Sequence, residues 1–443
     1  MSASSRQTAY TALMRVEENR SYSNITLDSE LEKSGLSGRD KSFAAKLFYG
    51  VLENRLLLDY NIAVRSLRSV RETDTGVLVL LRLGLYQLFF ADSVPPPAAV
   101  NETVALCRNN GLAEASGFVN GILRAAARDA KLRLPDPKKG KNKYLSIKYS
   151  CPEKIVSLWR KSYGDELTEG ILSSLSERPP LCIRVNTLKT TAQELKSRLE
   201  DRGVRAECSD ILKDCLLLSE TGAIERLPEF EQGLFHVQDR ASQLCCSLLD
   251  PEENEVLLDM CSAPGGKSFT CAELMNGKGR IVSLDLYSSR LGLVNSGAGR
   301  LGIEIINTKA CDASAFDEKI KADRVLCDVP CSGLGIIRRK PELRYKPDLG
   351  LDELPGLQYR ILCNASRFVK SGGRLLYSTC TLNPDENGRN VQRFLDEHED
   401  FVPSELKLPK GVSRGIDESS NCLTLFPHIN GTDGFFISLF QRK

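Results

Sequence analysis

Two cysteines in the last third of the chain stand in turns that are poorly suited to a packed core. Cys331 lies in the run Asp-Val-Pro-Cys-Ser-Gly over 328–333, and Cys380 lies in Ser-Thr-Cys-Thr over 378–381. Each turn follows a short apolar run that predicts a buried parallel strand. Because open α/β sheets bind ligands at the carboxyl ends of their strands, we expect both thiols to face one crevice. Such a pair suits covalent catalysis or dithiol redox chemistry, and position alone leaves both open.

A second candidate site lies earlier, where residues 259–267 read Asp-Met-Cys-Ser-Ala-Pro-Gly-Gly-Lys between a predicted strand and a predicted helix. Glycines let a ligand approach the backbone closely, and the amino end of a helix attracts negative charge. The run lacks the glycines of the dinucleotide fingerprint and of the phosphate loop. Asp285 ends the next strand, where a carboxylate commonly binds ribose, and Asp312 follows the third, within reach of an adenine edge. Either aspartate alone could cap a turn, but the three features together favour a nucleotide-like ligand.

The elements that position these segments are indicated by apolar runs that alternate with amphipathic runs from about residue 234 onward. This alternation predicts an α/β fold, a doubly wound parallel sheet with helices on both faces. The predicted strands are Val256–Asp259, Arg280–Leu284, Ile303–Ile306, Val325–Cys327 and Leu375–Tyr377. A last strand, Phe435–Phe440, is expected to pair antiparallel with Leu423–Phe426.

The remaining chain predicts three further segments before the catalytic domain, which we place at 234–443. Residues 1–130 read as helices throughout, including an apolar helix over Val77–Phe90. Residues 131–150 carry seven basic side chains against one acid and predict a basic linker, either a solvated connector or an arm for phosphates. Residues 151–233 predict a small α+β module.

Composition excludes several classes of protein. The formal net charge of +2 neither demands nor excludes nucleic acid, so local patches must carry that inference. The first 20 residues lack the apolar segment of a secretory signal, and no apolar run is long enough to span a bilayer. With no C-x-x-C motif and three histidines, the 15 cysteines predict neither a zinc site nor a disulfide framework. We expect a cytoplasmic protein with no metal and no membrane contact.

The motifs at both sites resemble those of S-adenosylmethionine-dependent RNA 5-methylcytosine methyltransferases. The resemblance rests on the run over 259–267, on the two cysteine turns and on Asn-Pro-Asp-Glu-Asn at 383–387. The helical first domain resembles the antitermination factor NusB, with Arg39-Asp40 before a phenylalanine-containing helix and Gly50 followed by Leu58-Asp59. The combination is similar to the RsmB/Sun/Fmu family of small-subunit (16S) ribosomal RNA methyltransferases. It implies a Rossmann-like class I methyltransferase domain, an all-α NusB-like RNA-binding domain and an RNA-binding α+β module.

The resemblance also assigns roles to individual residues. Cys380 is the nucleophile that adds to cytosine C6, Cys331 assists release, and Asp328 holds the cytosine edge and borders the cofactor. Asp285 is assigned to the ribose of S-adenosyl-L-methionine and Asp312 to its adenine. The methionine part is assigned to Cys261, Ser262, Ala263, Pro264, Gly265, Gly266 and Lys267. Lys267 could instead orient a motif carboxylate, and Cys261 by itself reads as a core thiol.

The implied reaction is methyl transfer to C5 of a cytosine in small-subunit ribosomal RNA, carried out by a monomer. Since C5 is a weak nucleophile, a thiolate must first add at C6, and the base must be unstacked to reach it. One alternative is the same reaction on another RNA such as tRNA, and another is an antitermination-like RNA-binding protein with an inactive catalytic domain. An amino-group methyltransferase is less consistent, because it would carry Asn/Asp-Pro-Pro-aromatic where this chain has Asp-Val-Pro-Cys at 328–331.

Overall fold

The computed structural model describes residues 4–19, 23–66, 69–417 and 419–443. Within the predicted helical segment 1–130, residues 1–3, 20–22 and 67–68 lie outside this description. The chain divides into two compact units. One comprises the residues up to Glu177 together with Ile337–Pro347, and the other comprises Arg178–Ile336 and Asp348–Lys443. In the described ranges, no helix is both long enough and apolar enough to cross a membrane.

Helices build the first unit. They are α1 Ser5–Asn19, α2 Ser23–Ser34, α3 Gly38–Glu53, α4 Arg55–Ala63, α5 Thr75–Phe90, α6 Pro96–Asn109, α7 Ser116–Asp129, α8 Lys141–Lys148 and α9 Glu153–Ser174. The predicted apolar helix is α5, which begins where the Asp74 carboxylate accepts a hydrogen bond from the Val77 N–H. It is apolar on nearly all sides because α1, α3, α4, α6 and α7 all contact it.

One charged side chain interrupts the apolar surface of α5. The buried Arg82 guanidinium donates to both carboxylate oxygens of Asp59, at 2.6 and 2.8 Å, and to Glu17 at 2.7 Å. A buried charge is tolerated where partners satisfy it, as these two carboxylates do. The cluster joins α5 to α4 and α1.

Part of the segment predicted to be a basic linker is helical. Two lysines of α8 pair with carboxylates of α9, Lys141 with Asp165 at 2.6 Å and Lys148 with Glu169 at 3.0 Å. These pairs hold α8 in the helical unit and reduce the basic charge that the sequence offers to phosphates. Helix α9 is divided by a kink at Gly164, which adopts a non-helical φ of 78°.

The second unit contains a small antiparallel sheet with the strand order β2-β3-β1-β4. Its strands are β1 Leu181–Val185, β2 Arg205–Cys208, β3 Cys215–Ser219 and β4 Phe235–Val237, and its helices are α10 Ala192–Glu200 and α11 Pro228–Glu231. Strand β4 lies beyond the module boundary predicted at residue 233, since its residues pair with β1. The small sheet therefore extends into the segment that we assigned to the catalytic domain.

The larger sheet carries the candidate sites. Its strands are β5 Val256–Asp259, β6 Arg280–Asp285, β7 Ile306–Ala310, β8 Ala322–Asp328, β9 Val369–Thr379, β10 Phe401–Pro403, β11 Cys422–Leu425 and β12 Phe435–Arg442. The helices are α12 Arg240–Leu249, α13 Gly266–Leu274, α14 Ser288–Leu301, α15 Leu354–Ser366, α16 Gly388–Glu397 and α17 Pro427–Asn430. The order is β10-β12-β9-β8-β5-β6-β7, with β11 paired to β12.

The predicted doubly wound fold is confirmed. Strands β9, β8, β5, β6 and β7 are parallel, and β12 adds antiparallel to β9 and pairs with β11 as expected. Leu257 packs in one core cluster, and its neighbour Leu258 packs in the cluster on the opposite face. The prediction for the third strand is wrong by three residues, because β7 is a largely exposed edge strand and the apolar Ile303 packs before it. The order reverses between β5 and β8, and open α/β sheets bind their ligands at the carboxyl ends of the strands beside such a reversal.

Candidate active site

The structure brings the two predicted thiols into contact. Strands β8 and β9 are paired so that Asp328 lies opposite Ser378, and each strand leads directly into its cysteine turn. The sulfur atoms of Cys331 and Cys380 lie 3.1 Å apart. A disulfide would place them about 2.05 Å apart, so these are two thiols in contact. The two thiols thus converge at the carboxyl edge of the sheet.

The surroundings of Cys331 favour its protonated form. The contact with Cys380, burial, and the negative charge of Glu386 together raise the pKa of Cys331 well above its ordinary range. Cys331 therefore remains a thiol at neutral pH and can donate a hydrogen bond to the Cys380 sulfur.

The two cysteine turns are joined directly to one another. The hydroxyls of Ser332 and Thr381 are 2.7 Å apart, and the Gly335 N–H donates to the Cys380 carbonyl at 3.0 Å. Gly335 is packed so tightly that a Cβ atom at this position would lie 1.9 Å from the Gly434 carbonyl oxygen. Only glycine allows this approach, and it fixes the backbone on which both thiols depend.

We expect Gly335→Ala to reduce activity by about 100-fold, because the backbone must shift and the thiols lose their relative placement. Gly299→Ala is the matched control, since Gly299 lies in α14 and a Cβ atom there meets nothing within 4 Å. Methyl transfer and thermal unfolding of both variants would be measured. Wild-type activity in a folded Gly335→Ala variant would contradict the importance of this close approach.

Asp328, at the end of β8, is held by two side chains. The Lys267 ammonium lies 2.5 Å from Asp328 Oδ2, and the Ser378 hydroxyl donates to Oδ1 at 2.8 Å. Burial opposes the charge of Lys267, but the ion pair with Asp328 outweighs it and raises the pKa of Lys267 above its ordinary value. The structure thus favours the alternative that Lys267 orients a motif carboxylate.

The loop after β5 offers unsatisfied polar atoms. Asp259 is buried and accepts from the Ser268 hydroxyl at 2.7 Å, while its Oδ1 atom and the Ser262 hydroxyl have no hydrogen-bond partner among the described residues. Burial raises the pKa of Asp259 to about 7. Gly265, with a φ of 110°, lies against Phe269, where a Cβ atom would be 2.4 Å from the ring. Since buried polar groups are normally paired, this loop at the amino end of α13 fits a polar ligand.

The two other predicted ligand residues are placed differently from each other. Asp285 is buried at the end of β6, where Arg290 lies 3.1 Å from its carboxylate and donates to the Ala263 carbonyl at 2.8 Å. Arg290 therefore links the ribose candidate to the glycine loop, and no sequence pattern marked it. Asp312 is exposed after β7, and its carboxylate accepts from the backbone and hydroxyl of Ser314 at 2.8 and 2.7 Å. That is the turn-capping role that the sequence left open.

The parallel sheet, the glycine loop and the paired thiols are consistent with an α/β methyltransferase, and a helical unit precedes them in the chain. Family models match over 246–441 (16S rRNA methyltransferase RsmB/F), 151–225 (RsmF/B-like ferredoxin-like domain) and 3–128 (NusB family). The chain belongs to the family of ribosomal RNA small subunit methyltransferase B, of the RsmB/F type.

Individual relatives match along nearly the whole chain. A probable ribosomal RNA small subunit methyltransferase B of Bacillus subtilis is 36% identical, over 99% of this chain and 98% of the relative. The protein of the same name from Synechocystis is 37% identical, over 99% of both chains. The crystal structure of PH0851 superposes with a TM-score of 0.84 at 28% identity, over 99% of this chain and 98% of that one.

Proposed function

We propose that this chain transfers a methyl group from S-adenosyl-L-methionine to C5 of a cytosine in small-subunit (16S) ribosomal RNA, through a covalent bond between Cys380 and C6. The observation that carries the proposal is the 3.1 Å contact between the Cys331 and Cys380 sulfur atoms at the crevice. Methylation of an amino group needs no thiol. Methylation at C5 needs one thiolate to attack, and a second group that helps the enzyme leave.

The two thiols divide the reaction between them. The Cys380 thiolate forms a bond to C6 as the C5=C6 π bond breaks, which makes C5 nucleophilic. After methyl transfer the C5 proton is lost to water, the double bond re-forms, and the C6–S bond breaks with its electron pair returning to sulfur. The protonated Cys331, 3.1 Å away, donates a hydrogen bond to that departing sulfur and so favours release.

Asp328 is assigned to the cytosine edge. In its ion pair with Lys267 the carboxylate acts only as an acceptor, so it suits the amino group of cytosine rather than an unprotonated N3. Ser378 fixes the second oxygen and limits rotation of the carboxylate. This arrangement selects cytosine over uracil, because uracil presents a carbonyl where cytosine presents the amino group.

S-adenosyl-L-methionine, when bound, supplies the methyl group. Its methionine part is assigned to residues 261–267, where the Ser262 hydroxyl has no partner in the described ranges and the amino end of α13 favours negative charge. Asp285 is assigned to the ribose and Asp312 to the adenine, and both stand at the carboxyl edge of the sheet. Ribosomal RNA of the small subunit is supported as the substrate by the relatives' names.

The proposal is tested by incubating the protein with unmodified 16S ribosomal RNA or tRNA and methyl-labelled S-adenosyl-L-methionine, then digesting the RNA to nucleosides. We expect the label in 5-methylcytosine from ribosomal RNA. Label on an exocyclic amine would overturn the C5 chemistry, and label in tRNA alone would overturn the substrate. No label in either RNA would favour a binding protein with an inactive catalytic domain.

A further inference from the structure

A buried carboxylate, that of Glu386, is hydrogen-bonded to the Cys331 turn. Glu386 Oε2 accepts from the Ser332 N–H at 2.9 Å and from the Gln358 amide at 2.8 Å. Its Oε1 accepts from the Ser332 hydroxyl at 2.5 Å and from the Asn383 amide at 3.0 Å. The Gln358 amide also donates to the Pro330 carbonyl at 2.9 Å. Glu386 thereby fixes the residues on both sides of Cys331, one directly and one through Gln358.

The next residue does the same for the other turn. The Asn387 Oδ1 atom accepts from the Thr379 hydroxyl at 2.6 Å, and its Nδ2 atom donates to the Thr381 carbonyl at 2.9 Å. These contacts lie on the two sides of Cys380. Two adjacent residues thus hold the two cysteine turns, with one residue for each thiol.

We infer that Glu386 is a positioning residue for the release step through Cys331, and that Asn387 is the corresponding positioning residue for attack by Cys380. The inference rests on the proposed function, since it divides the two residues between the two steps assigned to the thiols. Four hydrogen bonds on one carboxylate leave it little freedom, so the Ser332 backbone beside Cys331 is held in one place.

The charge of Glu386 has a second consequence. The negative charge of Glu386 also raises the pKa of Cys331, although the contact with Cys380 and burial raise it more. An uncharged amide at position 386 would present N–H donors to the donors of Ser332 or Gln358. This mismatch would displace the Ser332 backbone and move the Cys331 thiol away from the departing sulfur.

The test compares Glu386→Gln, Asn387→Ala and the control Asp385→Asn on full-length protein with 16S ribosomal RNA. Asp385 is the neighbouring carboxylate, but it pairs with Arg389 on the surface of α16. For Glu386→Gln we expect the covalent protein–RNA adduct to persist about 10- to 100-fold longer, with kcat reduced and KM for RNA nearly unchanged. For Asn387→Ala we expect slower adduct formation, and for Asp385→Asn wild-type behaviour.

A double variant separates positioning from general damage. If Glu386 acts through Cys331, Glu386→Gln adds nothing to the adduct lifetime of Cys331→Ala, whereas an independent structural effect would add to it. Gln358→Met, which removes the link to the Pro330 carbonyl, should lengthen the lifetime in the same direction if Glu386→Gln fails to fold. A long-lived adduct in Cys331→Ala, but not in folded Glu386→Gln or Gln358→Met, overturns this inference and leaves the proposed function intact. A wild-type protein that forms no 5-methylcytosine overturns the proposed function itself.

Discussion

Cys331→Ala is expected to leave the protein covalently attached to its RNA. Attack by Cys380 requires no atom of Cys331, so the adduct should still form and methyl transfer should still follow. Breaking the C6–S bond then lacks the thiol that lies 3.1 Å from the departing sulfur. We expect release to slow by a factor of about 100 or more, in the range observed when a single catalytic hydrogen-bond donor is removed. A denaturing gel with labelled RNA would show the adduct as a slowly migrating protein band.

Cys380→Ala is the matched variant at the other turn. It should give no adduct and no 5-methylcytosine, because removing a covalent nucleophile abolishes the pathway rather than slowing one step. The combination of Cys331→Ala and Cys380→Ala should behave as Cys380→Ala alone. If Cys380→Ala accumulates the adduct and Cys331→Ala forms none, the two assignments must be exchanged.

Much of the site was predictable because its signals are local. The turns around Cys331 and Cys380 each follow an apolar strand, and the carboxyl ends of parallel strands necessarily share one edge of the sheet. The glycine loop likewise follows β5 directly, and its Gly265 adopts the left-handed φ that favours glycine. Convergence of these segments therefore followed from topology alone.

The remaining features depend on contacts between distant parts of the chain. Glu386 is 54 residues from Ser332 in the sequence, and no periodicity shows that its carboxylate accepts from that turn. Arg290 reads as an exposed helical residue until the fold places it against Asp285 and Ala263. The predicted range of β7 was wrong for a related reason. Hydrophobic patterning marks buried residues, and this edge strand has few buried residues. Helix α8 was not predicted, because its run of basic residues is typical of a solvated linker and its ion pairs are with distant residues of α9.

The Lys267–Asp328 pair gives the second large expected effect. Lys267→Met should reduce activity by about 100-fold, because Asp328 loses its ion pair and is held, among the described residues, by the Ser378 hydroxyl. The side chains of Lys267 and Asp328 are 14% and 25% exposed, so removing one partner should cost about 2 kcal/mol of stability, less than for a fully buried pair. Chemical denaturation would measure this loss.

Steady-state kinetics distinguish orientation of Asp328 from direct binding of the cofactor by Lys267. If Lys267 orients the carboxylate, Lys267→Met and Asp328→Asn should both lower kcat and leave the KM for S-adenosyl-L-methionine nearly unchanged. The two substitutions combined should then cost little more than Asp328→Asn alone, because they remove the same interaction. If Lys267→Met instead raises only the KM for S-adenosyl-L-methionine, Lys267 binds the cofactor and does not act through Asp328.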